Sequence, residues 1–332
     1  MLNQAVINPS AGITIKPARR RQLTSGTGPA ANSDRVDGRL EIEGFGAVRY
    51  RHSGHEALPL AVVLGGISAD RKIDRWWPDV TGAEGALSNG RFRQLSIDWP
   101  VPDKAEPSVN DFADLLAAVM DALNIARVET VVGASFGAMV GLAFAARHPT
   151  RIEWLVAISG AHRSTPAATA GRLIQRRIIE SLARRGEPAQ GVSLARSLAL
   201  TSYRPAALFD ERFYHADPDE TVSAIEQYLE YTGTSFAGRF GAQRYLALSG
   251  ALDRHCVDPA SVRCRTELIG VTSDRLVPIS QMRELAGAIG IRARLHFLDS
   301  PFGHDGFLKA TGVLNPLLKR LLAEIEGEAD NG

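Results

Sequence analysis

The sequence predicts an α/β protein in which a mostly parallel sheet is flanked by helices and interrupted by a helical insertion. Short apolar runs rich in β-branched residues alternate with helical patterns along most of the chain. A block of about a hundred residues in the second half contains helical patterns only. One apolar run ends in a serine between glycines and passes directly into an alanine-rich helix. Alternating strands and helices place helices on both faces of a parallel sheet.

The composition is that of an ordinary globular protein. Of the 332 residues, 45% are apolar and 23% are charged, and the formal net charge is +1. The arginines are scattered, so we expect no nucleic-acid partner. The longest uncharged stretch, 130–146, is too short for a membrane span, so we expect no membrane association. The two cysteines, Cys256 and Cys264, suit a reducing compartment, and we expect a cytoplasmic protein without a metal site.

We divide the chain into an arm, a core and a lid. Residues 1–38 have few large apolar side chains, which predicts a disordered or loosely attached arm. Its three consecutive arginines are followed by polar residues, unlike an export signal. The core covers residues 39–160 and 264–325. Residues 161–263 form a helical lid inserted into it.

The core is expected to begin with an antiparallel pair of strands in RLEIEGFGAVRYR. The buried parallel strands predicted after it are LPLAVVLGG, RFRQLSID, VETVVGA, IEWLVAIS, TELIGVTS and ARLHFLD. Apolar residues at helical spacing predict an amphipathic helix in SVNDFADLLAAVMDALNI. The helices predicted in the lid are AGRLIQRRIIESLARRG, GVSLARSLALTSY, DETVSAIEQYLEYTG and AQRYLALSGALDRH.

A sharp turn that presents a nucleophile is predicted at Gly133-Ala134-Ser135-Phe136-Gly137, which fits the pattern G-x-S-x-G. Glycines are needed because flanking side chains would collide with neighbouring backbone. The turn holds the hydroxyl of Ser135 clear of the sheet, and the amide of Phe136 points towards an oxyanion formed there. The alternative is an ordinary strand-to-helix turn with an incidental serine.

A serine nucleophile needs a base, and the base needs an acid that orients it. With this turn the chain order is serine, acid, histidine, each after a strand. Asp274 follows TELIGVTS, and His304 lies in a loop after the last strand. Asp299 is a rival for the acid, but it is close to the histidine in sequence; we favour Asp274 on chain order. His296 lies within the last strand and is expected to be structural.

A second oxyanion donor is expected from the loop after an early strand. Gly65 and Gly66 in VVLGGISA would let backbone amides approach a substrate closely. The alternative is a plain glycine turn.

Several motifs resemble those of the homoserine O-acyltransferases of the α/β-hydrolase fold, a family of methionine biosynthesis. IQRRII resembles the glutamine–arginine helix of the family's lid, and LARSLALTSYRPAALFDERF resembles its threonine–tyrosine–arginine motif. YLEYTGTSFAGRFGAQRYLALSGALDRH resembles the lid segment that returns to the core. SDRLVP and GHDGFL are similar to the acid and histidine loops. The resemblance covers Pro59 to Leu322. Generic esterases share the serine turn but not the tyrosine–arginine motif or the GHDGFL loop.

This resemblance implies an acyl-CoA-dependent transferase that works by a ping-pong mechanism through an acyl-serine. Its co-substrates would be L-homoserine and acetyl-CoA or succinyl-CoA, with no permanently bound cofactor. Arg204, next to Tyr203, would hold the amino-acid carboxylate, and Asp305 would meet its ammonium group. A lid salt bridge is the alternative role for Arg204, and loop capping for Asp305. The resemblance also implies a homodimer formed through lid helices.

Two departures from the family pattern leave the substrates open. Gly65-Gly66-Ile67 stands where many acetyl-transferring members have a leucine–threonine–glycine string, and SLARRGEPAQG replaces a longer stretch with aromatic residues. They leave the acyl donor open, and serine stays open as the acceptor. A carboxylesterase or thioesterase of the same fold, and a binding protein without activity, are the rival functions.

Overall fold

The computed structural model describes residues 35–215 and 217–329. Their centre is an eight-stranded sheet with the order β1-β2-β4-β3-β5-β6-β7-β8. β1 pairs with β2, and β2 with β4, in antiparallel fashion, and the other pairs are parallel. The strands are β1 (Val36–Ile42), β2 (Gly46–Ser53), β3 (Leu60–Leu64), β4 (Arg93–Ile97), β5 (Val128–Ala134), β6 (Ile152–Ile158), β7 (Arg265–Val271) and β8 (Ala293–Leu298).

These strands confirm the predicted α/β fold with its mostly parallel sheet and its antiparallel start. The first strand begins at Val36, three residues before the core start expected at residue 39. Residues 1–34 of the predicted arm lie outside the described part of the chain.

Helices cover both faces of the sheet. The core helices are α1 (Ile73–Trp76), α2 (Pro78–Thr81), α3 (Val109–Ala122), α4 (Phe136–Arg147), α10 (Ile279–Ile289), α11 (Gly306–Lys309) and α12 (Thr311–Ala329). Neighbouring residues of one strand point to opposite faces. Val131 therefore packs with α3 and α4, whereas Val132 packs on the other face with α1, α2 and α12. Burial on both faces explains why the central strands are almost continuously apolar.

The amphipathic helix predicted after β4 is α3. Its apolar face is buried against the sheet, with Phe112 and Leu116 fully inaccessible. Ser108 caps its start: the Ser108 amide and hydroxyl both donate to the Asp111 carboxylate, at 2.6 and 2.8 Å. The Asp111 carboxylate thereby ties the residue that precedes α3 to the first turn of the helix.

The block between β6 and β7 consists of α5 (Pro166–Ala183), α6 (Pro188–Tyr203), α7 (Ala206–Phe213), α8 (Pro218–Ala237) and α9 (Ala242–Asp253). α5 packs on α6 and α9, and α6 packs on α8. The sequence pattern predicts four of these helices and misses the short α7. The chain enters and leaves this block side by side, because the Val257 amide donates to the carbonyl of His162 at 2.8 Å.

The topology brings three loops to one edge of the sheet. The carboxyl ends of β5, β7 and β8 lie at the same edge because these strands are parallel and stand close in the sheet order. Ser135 follows β5, Asp274 follows β7, and His304 follows β8. Clefts beyond the carboxyl ends of parallel strands are the usual ligand sites of such folds.

Candidate active site

Ser135 has the strained backbone that the G-x-S-x-G pattern predicts. Its φ is 55° and its ψ is −115°, a conformation that L-residues rarely adopt. The Ser135 amide donates to the carbonyl of Ile158 at 2.8 Å, and its carbonyl accepts from Met139 at 3.1 Å. These bonds fix the turn between β5 and α4.

The glycines beside Ser135 are required by contact distances. A Cβ on Gly133 would lie 2.3 Å from the carbonyl oxygen of Gly137, and one on Gly137 would lie 2.2 Å from that of Leu64. Both distances are far shorter than a carbon can approach backbone. The structure therefore gives the steric reason for the two flanking glycines of the motif.

The structure joins Ser135, His304 and Asp274 in one hydrogen-bonded chain. Ser135 Oγ lies 2.7 Å from His304 Nε2, and His304 Nδ1 lies 2.7 Å from Asp274 Oδ2. The other oxygen of Asp274 accepts the amides of Leu276 and Val277, at 2.9 and 3.0 Å. The carboxylate is therefore held in place on both sides.

Asp299, the rival acid, and His296, the histidine within the last strand, have other partners. Asp299 Oδ1 accepts the hydroxyl of Thr272 at 2.9 Å. His296 Nε2 lies 2.7 Å from the buried carboxylate of Glu267 on the neighbouring strand. Chain order therefore selects the carboxylate that contacts His304.

The pKa of His304 is raised above its ordinary value. Burial of the ring lowers this pKa, but the charge and hydrogen bond of Asp274 raise it and outweigh burial, and the charge of Asp305 adds to the rise. His304 is 7% exposed and packs edge-on against Phe307, with ring centroids 5.6 Å apart. The imidazole therefore has an enhanced affinity for a proton taken from Ser135.

The loop after β3 lies close to Ser135. A Cβ built on Gly66 would be 3.8 Å from Ser135 Cβ. The carbonyl of Gly65 accepts the amide of Gly137 at 3.1 Å, and a Cβ on Gly65 would collide with Ala69 Cβ at 2.3 Å. Gly65 thus packs the loop against α4, whereas Gly66 and Ile67 line the cavity at Ser135.

The direction of one peptide plane identifies a donor that the sequence pattern does not. The carbonyl of Gly66 accepts from Trp99 Nε1 at 3.2 Å and from the Ala69 amide at 2.9 Å. In a trans peptide the carbonyl and the following N–H point in opposite directions. The Ile67 amide is therefore turned away from these donors, and within the described residues it has no backbone or side-chain acceptor. The amide of Phe136, at the start of α4, is likewise without a described acceptor.

A cavity of about 120 Å³ lies over Ser135 between the core and the lid. Ser135, Met139, Trp76 and His304 contribute core surfaces to its wall. The lid contributes side chains from α5 and α6, which are Ala168, Arg172, Gln175, Arg196 and Tyr203. The helical block therefore covers the serine.

Of the three residues that the resemblance assigns to substrate binding, Asp305 and Tyr203 line this cavity and Arg204 does not. Arg204 Nε donates to Asp305 Oδ2 at 3.1 Å, and its Nη1 donates to the Tyr228 hydroxyl. Arg204 faces a second cavity with α7 on its wall. Arg204 directly follows the last residue of α6, and its guanidinium contacts Asp305 but does not line the cavity over Ser135. A direct contact of Arg204 with an amino-acid carboxylate is therefore not supported.

Sequence reasoning missed Arg172, Gln175 and Arg196 as candidates. Arg196 lies over the Tyr203 ring at 5.2 Å and over Phe236 at 4.9 Å, and no carboxylate of the described residues lies within ion-pair distance. Arg196 and Tyr203 are seven residues apart and share one face of α6, as Arg172 and Gln175 share one face of α5. This spacing was a usable signal, but it does not show which face meets the cavity.

The charges around Arg172 do not cancel. Arg172 and Arg176 both pair with Asp253, each at 2.7 Å. Two guanidinium groups share one carboxylate, which leaves a net charge of +1. Gln175 is 4% exposed and accepts the Tyr245 hydroxyl through Oε1 at 2.9 Å. Its amide N–H groups have no partner among the described residues, so this end of the cavity offers cationic and neutral donors.

Comparison with known proteins agrees with the fold and the motifs. The family model of the alpha/beta hydrolase fold matches residues 62–311. A "Homoserine O-succinyltransferase" from Xanthomonas campestris pv. campestris is 39% identical over 291 residues, which cover 83% of this chain and 78% of the relative.

The chain belongs to the homoserine O-acyltransferase family. As a member of this family it is an acyltransferase. An "L-serine/homoserine O-acetyltransferase" from Streptomyces lavendulae is 34% identical over 252 residues, covering 66% of this chain and 67% of the relative. The homoserine O-acetyltransferase structure from Bacillus anthracis superposes with a TM-score of 0.74 at 14% identity, covering 86% of this chain and 96% of that one. The resemblance expected from the sequence motifs is thereby confirmed.

The described residues contain no group of three or more histidine, cysteine or acidic side chains that could hold a metal ion. None of the helices in ranges 35–215 and 217–329 is long and apolar enough to cross a bilayer.

Proposed function

We propose that the protein transfers an acyl group from acyl-CoA to the side-chain hydroxyl of L-homoserine, through an acyl-enzyme on Ser135. The observation that carries this proposal is the chain of two 2.7 Å contacts from Ser135 through His304 to Asp274, beneath a lid that brings the cations Arg172 and Arg196 to the cavity. The names of the relatives support the acceptor, and a role in methionine biosynthesis is part of the proposal.

In the first half-reaction His304 takes the proton of Ser135 as the Oγ attacks the thioester carbonyl. The Oγ–acyl bond forms, the C–S bond breaks, and the CoA sulfur leaves with the proton from His304. Asp274 holds the imidazole in the tautomer that accepts at Nε2 and stabilises its protonated form.

The amides of Phe136 and Ile67 would hold the negative oxygen of the tetrahedral intermediate. Both are without described acceptors, and the Phe136 amide also has the positive end of the α4 dipole behind it. Removing one oxyanion donor typically lowers a rate by about a hundredfold or more. Gly66 contributes by keeping side-chain atoms away from the space that the substrate needs.

Homoserine then enters, and His304 removes the proton of its hydroxyl. The hydroxyl oxygen attacks the acyl-serine, the new ester forms, and the released Oγ of Ser135 recovers the proton. A zwitterionic acceptor needs one fixed anion and one fixed cation. We assign Asp305 to its ammonium group and Arg196 to its carboxylate, with Arg204 holding Asp305 from behind.

The acyl donor assigned to this site is succinyl-CoA. The homoserine carboxylate uses one cation, Arg196, which leaves the surplus charge around Arg172 and the free amide of Gln175. A succinyl group carries a terminal carboxylate that fits this surplus, whereas an acetyl group carries none. The name of the Xanthomonas relative supports the same donor.

Acyl transfer to homoserine is faster than hydrolysis only if water is a poor competitor for the acyl-serine. The lid covers Ser135, and fixed contacts to both ends of homoserine orient its hydroxyl. Oriented groups reach effective concentrations of about 10⁵ M or more, far above that of water. A simple esterase would not need the two charged contacts.

A homodimer through lid helices is part of the proposal. Leu173 and Ile174 of α5, and Leu194 and Leu198 of α6, expose 36–53% of their surface. Neighbouring exposed apolar side chains of this kind are common where chains associate. Light scattering across a dilution series tests this, and a monomer at every concentration contradicts it.

The experiment that tests the function is a matrix of initial rates with succinyl-CoA or acetyl-CoA against L-homoserine or L-serine. We expect the highest kcat/KM for succinyl-CoA with homoserine, and parallel lines in double-reciprocal plots because the mechanism is ping-pong. Equal CoA release with and without acceptor contradicts the transferase and supports a thioesterase.

A further inference from the structure

Helix α9 of the lid contacts the loop that carries the Ile67 amide. Arg244 Nη2 donates to the carbonyl of Ala69 at 3.0 Å. Ala69 is buried, and its amide donates to the Gly66 carbonyl at 2.9 Å. The turn from Gly66 to Ala69 therefore has one end beside Ser135 and the other end on the lid.

The orientation of the Ile67 amide depends on this turn. The Gly66 carbonyl and the Ile67 amide belong to one peptide plane, so a rotation of the carbonyl rotates the amide. Trp99 and the Ala69 amide hold the carbonyl from the core side. A shift of Ala69 would break the hydrogen bond from its amide to the Gly66 carbonyl. The peptide plane between Gly66 and Ile67 could then rotate more freely. The position of Ala69 thus controls the amide of Ile67, a residue that lines the same cavity as Ser135.

Packing alone does not explain an arginine at position 244. Its guanidinium lies 4.7 Å from the Phe240 ring centroid, its Nε is buried without a partner, and no described carboxylate is within ion-pair distance. Burial lowers the pKa of Arg244, which the longer-range charges of Asp98 and Asp70 partly offset. Burying a cation without an ion-pair partner is costly, and an apolar side chain would avoid that cost. What the arginine adds is a charge-assisted hydrogen bond to Ala69.

We propose that Arg244 is a positioning residue that fixes the oxyanion loop, so that the oxyanion site is complete only when α9 is seated on the core. This inference rests on the proposed acylation of Ser135. It links the lid to the reaction in a second way, separate from covering the cavity: the lid also orients a backbone donor.

The test measures acylation of Ser135 in single turnovers with an aryl ester, which needs neither CoA nor homoserine. Arg244→Met keeps an apolar side chain but removes the donor. We expect the acylation rate constant to fall roughly tenfold, part of the loss of a whole oxyanion donor, with the apparent substrate dissociation constant changed less than about twofold. Arg244→Lys keeps a charged donor and is expected to recover part of the rate.

Arg239→Met is the matched control. Arg239 is an exposed lid arginine over the Phe236 ring, at 5.7 Å, with no described hydrogen bond to the core. We expect it to acylate within about twofold of the unmodified protein. Unfolding midpoints are measured for every variant. If Arg244→Met does not fold, Arg244→Leu, which also removes the donor, takes its place in the same comparison with Arg239→Met, and an unchanged acylation rate constant in Arg244→Leu overturns the proposal.

The inference is overturned if Arg244→Met acylates as fast as Arg239→Met, or if it weakens binding and leaves the rate constant unchanged. Ser135→Ala separates this failure from failure of the proposed function. If Ser135→Ala still forms an acyl-enzyme at the original rate, the nucleophile is wrong and Arg244 has no bearing on it.

Discussion

Arg204 and Asp305 form an ion pair at 3.1 Å that joins the end of a lid helix to the histidine loop. Asp305 reaches the cavity over Ser135, whereas Arg204 stands behind it in the wall of another cavity. Asp305 and Arg204 are the two charged residues expected to hold an amino acid. Asp305 lines the cavity over Ser135, and Arg204 contacts Asp305. Among the described residues that line the cavity, Arg196 is a cation without an ion pair, and it lies on α6 about two turns before Arg204.

Replacing Arg196 by leucine is expected to raise KM for homoserine by roughly tenfold or more, because the lost bonds involve two charged partners. Acylation by an aryl ester should change little, since no amino acid takes part. Arg204→Leu is the matched comparison, and we expect a smaller rise in KM for that variant. Steady-state kinetics with homoserine decide. A larger effect of Arg204→Leu than of Arg196→Leu contradicts the assignment.

Replacing Arg172 by methionine should alter donor preference more than overall activity. The change removes the surplus charge near Gln175 and leaves Asp253 paired with Arg176. We expect kcat/KM for succinyl-CoA to fall roughly tenfold or more, while that for acetyl-CoA changes less than about threefold. Rates with both donors at fixed homoserine provide the measurement. An equal loss for both donors would show that Arg172 does not recognise the acyl group.

The pH dependence follows from the raised pKa of His304. The base must be neutral to accept the proton of Ser135, so acylation should decline as pH falls through a value above about 6.5, the ordinary histidine pKa. Asp305→Asn removes one of the charges that raise this pKa and should shift the acid limb to lower pH. The pH profile of aryl-ester acylation tests both statements, and an acid limb that moves upwards in Asp305→Asn contradicts them.

The same shift has the opposite effect on stability. A histidine whose pKa is higher in the folded state stabilises the fold fully below its unfolded pKa of about 6.5. That contribution is lost as pH rises through the raised folded value. Acylation therefore requires neutral His304, whereas the contribution of His304 to the stability of the fold is greatest when the ring is protonated.

Much of the candidate site could be predicted from the sequence because its signals are local. Ser135 needs glycines beside it, and the collisions of a Cβ with the backbone at Gly133 and Gly137 show why the pattern is so restrictive. Asp274 was chosen over Asp299 from chain order, which the parallel topology converts into position along one sheet edge.

Other residues of the candidate site could not be predicted, because their positions depend on how separate helices and loops pack together. Arg196 and Arg172 have usable helical spacing, but which face of α5 or α6 meets the cavity is decided by packing within the lid. The donor that we propose at Ile67 is a backbone amide, whose direction depends on the contact of Trp99 with Gly66. Sequence alone favoured Gly65 and Gly66, because a glycine is visible in a sequence and a peptide orientation is not.

Gly137→Ala should destabilise the fold, because its new Cβ would lie 2.2 Å from the Leu64 carbonyl oxygen. Forcing extra atoms into a packed interior costs about 1–3 kcal/mol, and backbone resists more than a side chain does. Gly287→Ala is the control, since its Cβ meets nothing within 4 Å on α10, and alanine there should stabilise by about 0.5–1 kcal/mol. Denaturant unfolding measures both changes. Equal effects of the two substitutions would contradict the steric account of the turn.

Asp274→Asn should lower kcat by about 10³–10⁴-fold with a much smaller change in KM, because the amide no longer holds the tautomer that accepts a proton at Nε2. Asp299→Asn, at the rival position, should stay within about threefold of the unmodified rate. Steady-state kinetics of both variants provide the check. A stronger effect at Asp299 would reverse the choice of acid.

The central claim is a covalent acyl group on Ser135, and mass spectrometry of the intact protein mixed with succinyl-CoA in the absence of homoserine tests it most directly. We predict that one succinyl group is retained per chain, that peptide mapping finds it on Ser135, and that adding homoserine removes it. A protein that releases CoA continuously without acceptor, or carries the acyl group on another residue, would contradict the account.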